Sequence, residues 1–406
     1  MKKPALILYL FIITLILASC RKDVELLLSE VTPTDPGTSA AGRYAGLYLL
    51  NEGNMGSNKA TLDFYDFVTG NYHRNVYAER NPSVPKELGD VGNDLQLYGS
   101  RLYAVINASN KIEVMDARTT ERIGRIEIPN CRHITFHEGY AYVTSYAGPI
   151  EIDPEYKQKG YVARIDTATL QVTGTCVVGY QPDGIAVSNG NIYVANSGGY
   201  RGAGKSTNYE RTVSVISTAT FSETARIDVD LNLHRIKADS RGDLWVSSRS
   251  DYHDSPSRLY FIDHRKQAVT DTIDLPVGNF AIDGDSLYLI GMGESVQGIN
   301  YFSIVNMTTR EVVNSDFITD GTDKGFETPY GITVHPETKD IYITDAGDYI
   351  NPGYLYRFNR EGKKIWSVQT GDIPAHFVFL PKNIYMSPLS LHVKSETSEM
   401  LINKQN

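Results

Sequence analysis

The sequence predicts an all-β fold: a seven-bladed β-propeller whose ring is closed by a C-terminal strand completing blade one. Three observations predict it. First, a Leu/Ile-Tyr-hydrophobic motif, or a close variant, occurs seven times, as Leu47-Tyr48-Leu49, Leu102-Tyr103-Ala104, Ala141-Tyr142-Val143, Ile192-Tyr193-Val194, Leu244-Trp245-Val246, Leu287-Tyr288-Leu289 and Ile341-Tyr342-Ile343. Second, each copy is followed by an alternating strand that ends in Asp, Asn or Ser, at Asp66, Asp116, Asp166, Ser217, Asp263, Asn306 and Asn359. These positions recur at roughly 43 to 53 residues, and a period of that length built from short strands marks propeller blades. Third, the first repeat starts at its second strand, Gly46 to Leu50, with no inner strand before it. Ala375 to Leu380, after the seventh repeat, matches the start of a repeat and supplies the missing strand. A sandwich or an open barrel does not account for seven equal repeats.

Within a repeat the elements follow from pattern and turn chemistry. In the fourth, Gly184 to Val187 is the inner strand, Asn191 to Ala195 the second, Thr212 to Ile216 the third and Glu223 to Val229 the outer one. Ser188-Asn189-Gly190 joins the first two with residues suited to positive φ. The repeated Tyr is expected to pack between neighbouring blades with its hydroxyl reaching a backbone partner, which makes it structural.

The N-terminus reads as an export signal: Met1-Lys2-Lys3, an apolar run from Ala5 to Leu17, then Leu17-Ala18-Ser19-Cys20. The run is shorter than the roughly 20 residues that span a bilayer. Leu17-Ala18-Ser19-Cys20 resembles the bacterial lipobox, which implies lipidation of Cys20; an ordinary signal peptide with a chance Cys is the alternative. The expected organisation is a signal peptide over 1–19, a lipidated flexible tether over 20–44, the propeller over 45–380 and a C-terminal extension over 381–406. The net charge of -9 argues against nucleic acid as a partner. Cys131 begins an inner strand and Cys176 lies in an outer one, so the pair is expected to stay unbridged, although exported proteins do form disulfides.

In a propeller, the residues leading into the inner strands and the loops between second and third strands share one face. That geometry nominates Asn93, Arg132, His133, Asp183, His234, Arg235, Phe280, Tyr330 and His376 around the channel mouth. The loops add Tyr200, Arg201, Arg249, Tyr252 and Tyr349. Long loops in compact domains tend to be functional, and Tyr and Arg are enriched at binding surfaces. Against this, Tyr is abundant throughout, with 27 in the chain. No His-Glu-x-x-His, Gly-x-Ser-x-Gly or paired-Cys spacing is present, so no catalytic residue, metal ligand or resident cofactor is assigned. Some propeller enzymes hold a metal in a ring of Glu, Asn, Asp or His on this face, and Glu52, Asn107, Asn196, Asp345 and His376 are the candidates for such a ring here.

Repeats such as Gln181-Pro182-Asp183-Gly184-Ile185-Ala186-Val187 and Asn191-Ile192-Tyr193-Val194-Ala195-Asn196 resemble the YncE-type family of exported propellers. With the lipobox and the tether, the chain is similar to the BtuG-type cobalamin-binding surface lipoproteins of Bacteroidota. Arg21-Lys22-Asp23-Val24-Glu25 partly matches their surface-export signal, with Val24 interrupting the acidic pair. The resemblance implies a protein of the outer membrane, lipid-anchored and facing the exterior, that binds cobalamin and hands it to a TonB-dependent transporter. The alternatives are a metal-dependent lactonase- or lyase-like propeller enzyme and a protein-interaction scaffold of the envelope.

Overall fold

The computed structural model describes residues 28–35, 37, 42–84, 87–252, 256–292 and 300–384. The signal segment, Cys20, His253 in the blade-five loop and the extension beyond residue 384 lie outside them. Seven antiparallel sheets form the ring, six of four strands and one of five. The inner strands of blades two to seven are Gly92–Tyr98, Cys131–His137, Pro182–Ser188, Leu233–Ala238, Asn279–Asp283 and Pro329–Val334. Blade one takes its inner strand, Pro374–Pro381, from the C-terminal side and pairs it with Tyr44–Asn51. Closing the ring in this way leaves no unpaired edge at the seam.

Strand alternation explains why the ring holds together. Each of the seven apolar clusters draws its residues from two neighbouring blades. In every repeat the motif aromatic faces the following blade. Tyr48 joins the cluster between blades one and two, Tyr103 that between two and three, and so on round to Tyr342 between seven and one. The flanking aliphatics face the preceding blade: Leu47 and Leu49 pack towards blade seven while Tyr48 packs towards blade two. The Tyr48 hydroxyl donates to the Ala117 carbonyl of the next blade at 2.9 Å. Tyr103 departs from this pattern, since its buried hydroxyl has no partner among the described residues.

The second motif caps the turn between third and outer strands. The Asp66, Asp116, Asp166 and Asp263 carboxylates, and the Asn306 carbonyl, each accept the N–H groups two and three residues on. Such Asx turns are what these residue types favour. Asn189 and Gly190 both take positive φ, 48° and 73°, as the fourth-repeat hairpin requires. Cys131 and Cys176 are buried and unbridged.

One expectation needs correcting. Part of the segment read as a free tether is docked, because blade one offers an unpaired outer edge that the chain can extend. Glu30–Pro33 pairs with Asn71–Arg74 as a fifth, outermost strand. Beyond it, the Asp35 carbonyl accepts hydrogen bonds from Tyr65 of blade one and from Arg357 and Trp366 of blade seven. The segment therefore bridges the two blades that meet at the closing seam.

The same seam holds a pH-sensitive group. His335 is fully buried among the rings of Tyr44, Phe67 and Phe379. Its Nδ1 accepts the N–H groups of Glu337 and Thr338, both at 3.1 Å. Burial pushes the imidazole pKa down to about 4. A group depressed on folding contributes stability above its unfolded value and loses it as pH falls through the folded one. The melting temperature is therefore expected to drop between pH 6.5 and 4. In His335→Gln the slope should be shallower; an unchanged slope in thermal melts would assign it to other groups.

Candidate functional site

The site is made by a repeated irregularity in the inner strands. Where each begins, two residues often stand opposite one of the second strand. Arg132 and His133 oppose Thr144, Asp183 and Gly184 oppose Ala195, His234 and Arg235 oppose Ser247, and Tyr330 and Gly331 oppose Thr344. Blades one and two carry one extra residue each, Ala375 and Asn93. A β-bulge re-aims side chains that a regular ladder would send into the sheet faces. The freed N–H groups are recovered by the second strand: Thr144, Ser247 and Thr344 hydroxyls accept from His133, Arg235 and Gly331 at 3.0, 3.1 and 2.7 Å.

Six blades thus deliver polar side chains to one end of the channel. The inner strands line a cavity of about 380 Å³ along it that Asp94, His133, Arg235 and His376 border but Asp183, Arg132, Arg249 and Glu52 do not. Asp183 is the hub, with no exposed surface. Arg132 Nε and His133 Nε2 lie 3.5 and 3.0 Å from its Oδ1, the His133 contact off the hydrogen-bond axis. Arg249 Nη1 lies 3.2 Å from Oδ2. Burial alone would raise the Asp183 pKa, but Arg132 and Arg249 outweigh it and hold the carboxylate well below its usual range. His133 also reaches Asp94, with Nδ1 3.6 Å from Oδ2. Burial opposes protonation of His133, yet the adjoining Asp183 and Asp94 carboxylates prevail and raise its pKa. Asp94 is lowered to about 2, burial being outweighed chiefly by the neighbouring His133.

A second pair faces it across the mouth. Glu52, from the first loop of blade one, meets His376 Nε2 at 3.0 Å and accepts the Tyr330 hydroxyl at 2.9 Å. Burial is outweighed at Glu52 by the His376 bond, which keeps the carboxylate ionised. At His376 burial wins, so the imidazole is held neutral and donates. The two groups are linked by rings: His133 lies 6.4 Å from His376 and 6.3 Å from His234, centroid to centroid. Aromatics line the rim. Tyr146 stacks under Arg132 and meets Tyr200 edge-on at 5.1 Å, and Tyr330 meets Tyr349 at 5.8 Å.

The nominated residues therefore divide. Arg132, His133, Asp183, His234, Arg235, Arg249, Tyr330 and His376 come together, with Tyr200 and Tyr349 packed against members of the group. Tyr252 is 59 % exposed on the rim. Arg201 stacks on Tyr180 at 3.9 Å and forms no ion pair with the Asp183 group. Asn93 is buried as the extra residue of its bulge, and its neighbour Asp94 joins the cluster instead. Phe280 has to be withdrawn. It stands opposite Leu289, the position that Leu95, Ile134, Ile185, Ile236 and Ile332 hold in other blades, and like them it turns into the core, here with Trp245, Leu259 and Leu287. Asp94, Glu52 and Tyr146, the second read above only into a metal ring, also belong to the site, and Lys237 joins them without any signal having been read for it. Strand alternation from Arg235 would have found Lys237.

The imagined metal ring does not form. Asn107 donates to Asn130 and the Cys131 carbonyl where blade three begins, Asn196 donates to the Thr212 and Ser214 hydroxyls of the third strand, and Asp345 accepts the Glu327 and Thr328 N–H groups. These residues latch the ends of the second strands. His133, Asp183 and His234 do place donor atoms within 4.8 Å of one another. Two guanidiniums already neutralise Asp183, however, so a divalent cation there would have to displace them.

A family model described as a domain of unknown function, DUF5074, matches residues 45–382. No curated protein sequence matches the chain. Among solved structures, a quinonprotein alcohol dehydrogenase-like protein of Bacteroides thetaiotaomicron is similar, with a TM-score of 0.59 and 14% identity over 83% of this chain and 78% of that one. Hydrazine synthase of Kuenenia stuttgartiensis gives 0.52 and 17% over 66% and 77%. Apo AztD of Citrobacter koseri gives 0.50 and 13% over 82% and 97%. At these identities the likeness establishes the propeller fold alone.

Proposed function

This chain belongs to the DUF5074 family, and from that premise we propose that it is an exported binding propeller that captures a small polar molecule at the channel mouth. One observation carries the reading: six blades each spend a bulge on bringing charged, imidazole or phenol groups to a common point. A purely structural rim has no use for buried ionised groups that cost desolvation. The mixture of donors, acceptors and rings suits a ligand with many amides and some apolar surface.

Cobalamin is the ligand proposed, by resemblance to the corrinoid-binding lipoproteins. A corrinoid is larger than the 380 Å³ cavity, so it would rest on the face, covered by Tyr200, Tyr252 and Tyr349, with one substituent entering the channel. Anchoring through Cys20 and delivery to an outer-membrane TonB-dependent transporter complete the proposal. No helix among the described residues is long and apolar enough to cross a membrane. Calorimetric titration of the full ectodomain with cyanocobalamin is expected to show saturable, one-to-one binding at micromolar concentrations. Absence of heat and of any spectral shift would remove cobalamin as the ligand.

A further inference from the structure

Charge at the mouth does not balance. Three carboxylates, Asp183, Asp94 and Glu52, face three guanidiniums together with His133 and Lys237. Asp183 pairs with Arg132 and Arg249, Asp94 lies against His133, and Glu52, whose direct contacts His376 and Tyr330 are neutral, attracts Arg235 without pairing with it. That leaves Arg235. Its side chain forms no ion pair or hydrogen bond among the described residues, and its Nε is buried without a partner. It lines the cavity beside His133, His376, Lys237 and Asn279. An unpaired guanidinium in such a place costs stability, and it persists where a ligand supplies the missing charge.

The surroundings sharpen the point. Lys237, two residues along the same strand, lines the same cavity, its ammonium donating to the Phe280 carbonyl at 2.5 Å. Burial, then repulsion from Arg249 and Arg235, hold His234 neutral, so it remains able to donate one hydrogen bond. Positive charge therefore gathers at one spot on a chain whose net charge is -9. A guanidinium presents its donors as a flat fork that matches two oxygens of a carboxylate or phosphate.

The geometry points to Arg235 as the receptor for an oxyanion, phosphate or carboxylate, borne by the captured molecule, with Arg249 and Lys237 adding to the local field. The inference rests on the reading of the mouth as a ligand site and specifies the class of ligand. Neutral sugars and cations would leave Arg235 unmatched, whereas a compact anionic substituent entering the channel would neutralise it.

The test uses the full ectodomain at low salt and titrates inorganic phosphate and acetate separately. Both are expected to saturate, and the tighter of the two identifies the class. Arg235→Gln should weaken that binding at least tenfold, while Arg226→Gln on an outer strand leaves it unchanged. The Arg235→Gln melting temperature should equal or exceed that of the unsubstituted chain, which separates lost recognition from lost folding. No saturation by either oxyanion, or equal binding by Arg235→Gln, overturns the receptor. Cyanocobalamin distinguishes the two levels. If it binds while the oxyanions do not, the mouth is a ligand site without an anion receptor. Oxyanion binding weakened by Arg235→Gln, without cyanocobalamin binding, keeps the receptor and removes the corrinoid. If neither binds, both readings fall.

Discussion

A chain ending at Asp372 is expected to lose its cooperative melt entirely. The truncation removes Pro374–Pro381, the inner strand of blade one. Leu380 is completely buried, Ala375 and Val378 nearly so, and Phe377 and Phe379 pack against the cluster shared with blade seven. Burial of large apolar side chains is worth about 2–5 kcal/mol each when truncated, so the loss is on the order of a whole domain's stability. Tyr44–Asn51 would also be left as an unpaired edge facing the channel. Circular dichroism melts and size-exclusion chromatography measure the outcome. A synthetic peptide covering 373–384 should restore part of the transition when added in excess. A truncated chain melting within a few degrees of the full one would show that the seam contributes little.

The second large effect is expected at Asp183. Replacing it with Asn leaves Arg132, Arg249 and a raised-pKa His133 facing one another with their common counter-charge gone. Breaking a buried ion pair from one side costs about 3–5 kcal/mol, or roughly 5–10 °C in a domain of this size. Binding at the mouth should fail with it, since both guanidiniums would reorient. The double variant Asp183→Asn/Arg249→Gln should recover part of the stability, because the repulsion it relieves is shared between the two positions. Additive losses in denaturant unfolding would mean that the pair is not coupled.

Much of this was legible in the sequence, for physical reasons. The motif aromatics could be placed because period-two alternation fixes which face each occupies, and seven copies repeat the same decision. Ring closure followed from an inner strand missing at one end and surplus at the other. The bulges were not legible, because a two-for-one mismatch shows only when both strands are in register. Hence of Asn93 and Asp94 it is Asp94 that serves, and Phe280 falls one residue past the channel-facing Asn279, where every inner strand turns into the core. Glu52 was visible only as a loop residue, since its partners His376 and Tyr330 lie about 280 or more positions away. The docking of residues 30–35 escaped for a similar reason: a short polar strand at a sheet edge has almost no pattern of its own.

That docked segment also determines how the molecule would bear a mechanical load. A pull from the N-terminal side first meets Glu30–Pro33, clamped along Asn71–Arg74, and then the three donors that grip the Asp35 carbonyl. The closing pair begins later, at Tyr44 opposite Pro381. Because these strands are antiparallel, with the start of one opposite the end of the other, tension reaching Tyr44 would peel them apart one hydrogen bond at a time. Under such a pull the outer strand and the Asp35 clamp would act as strain relief, passing force into the rims of blades one and seven before it reached the closing pair.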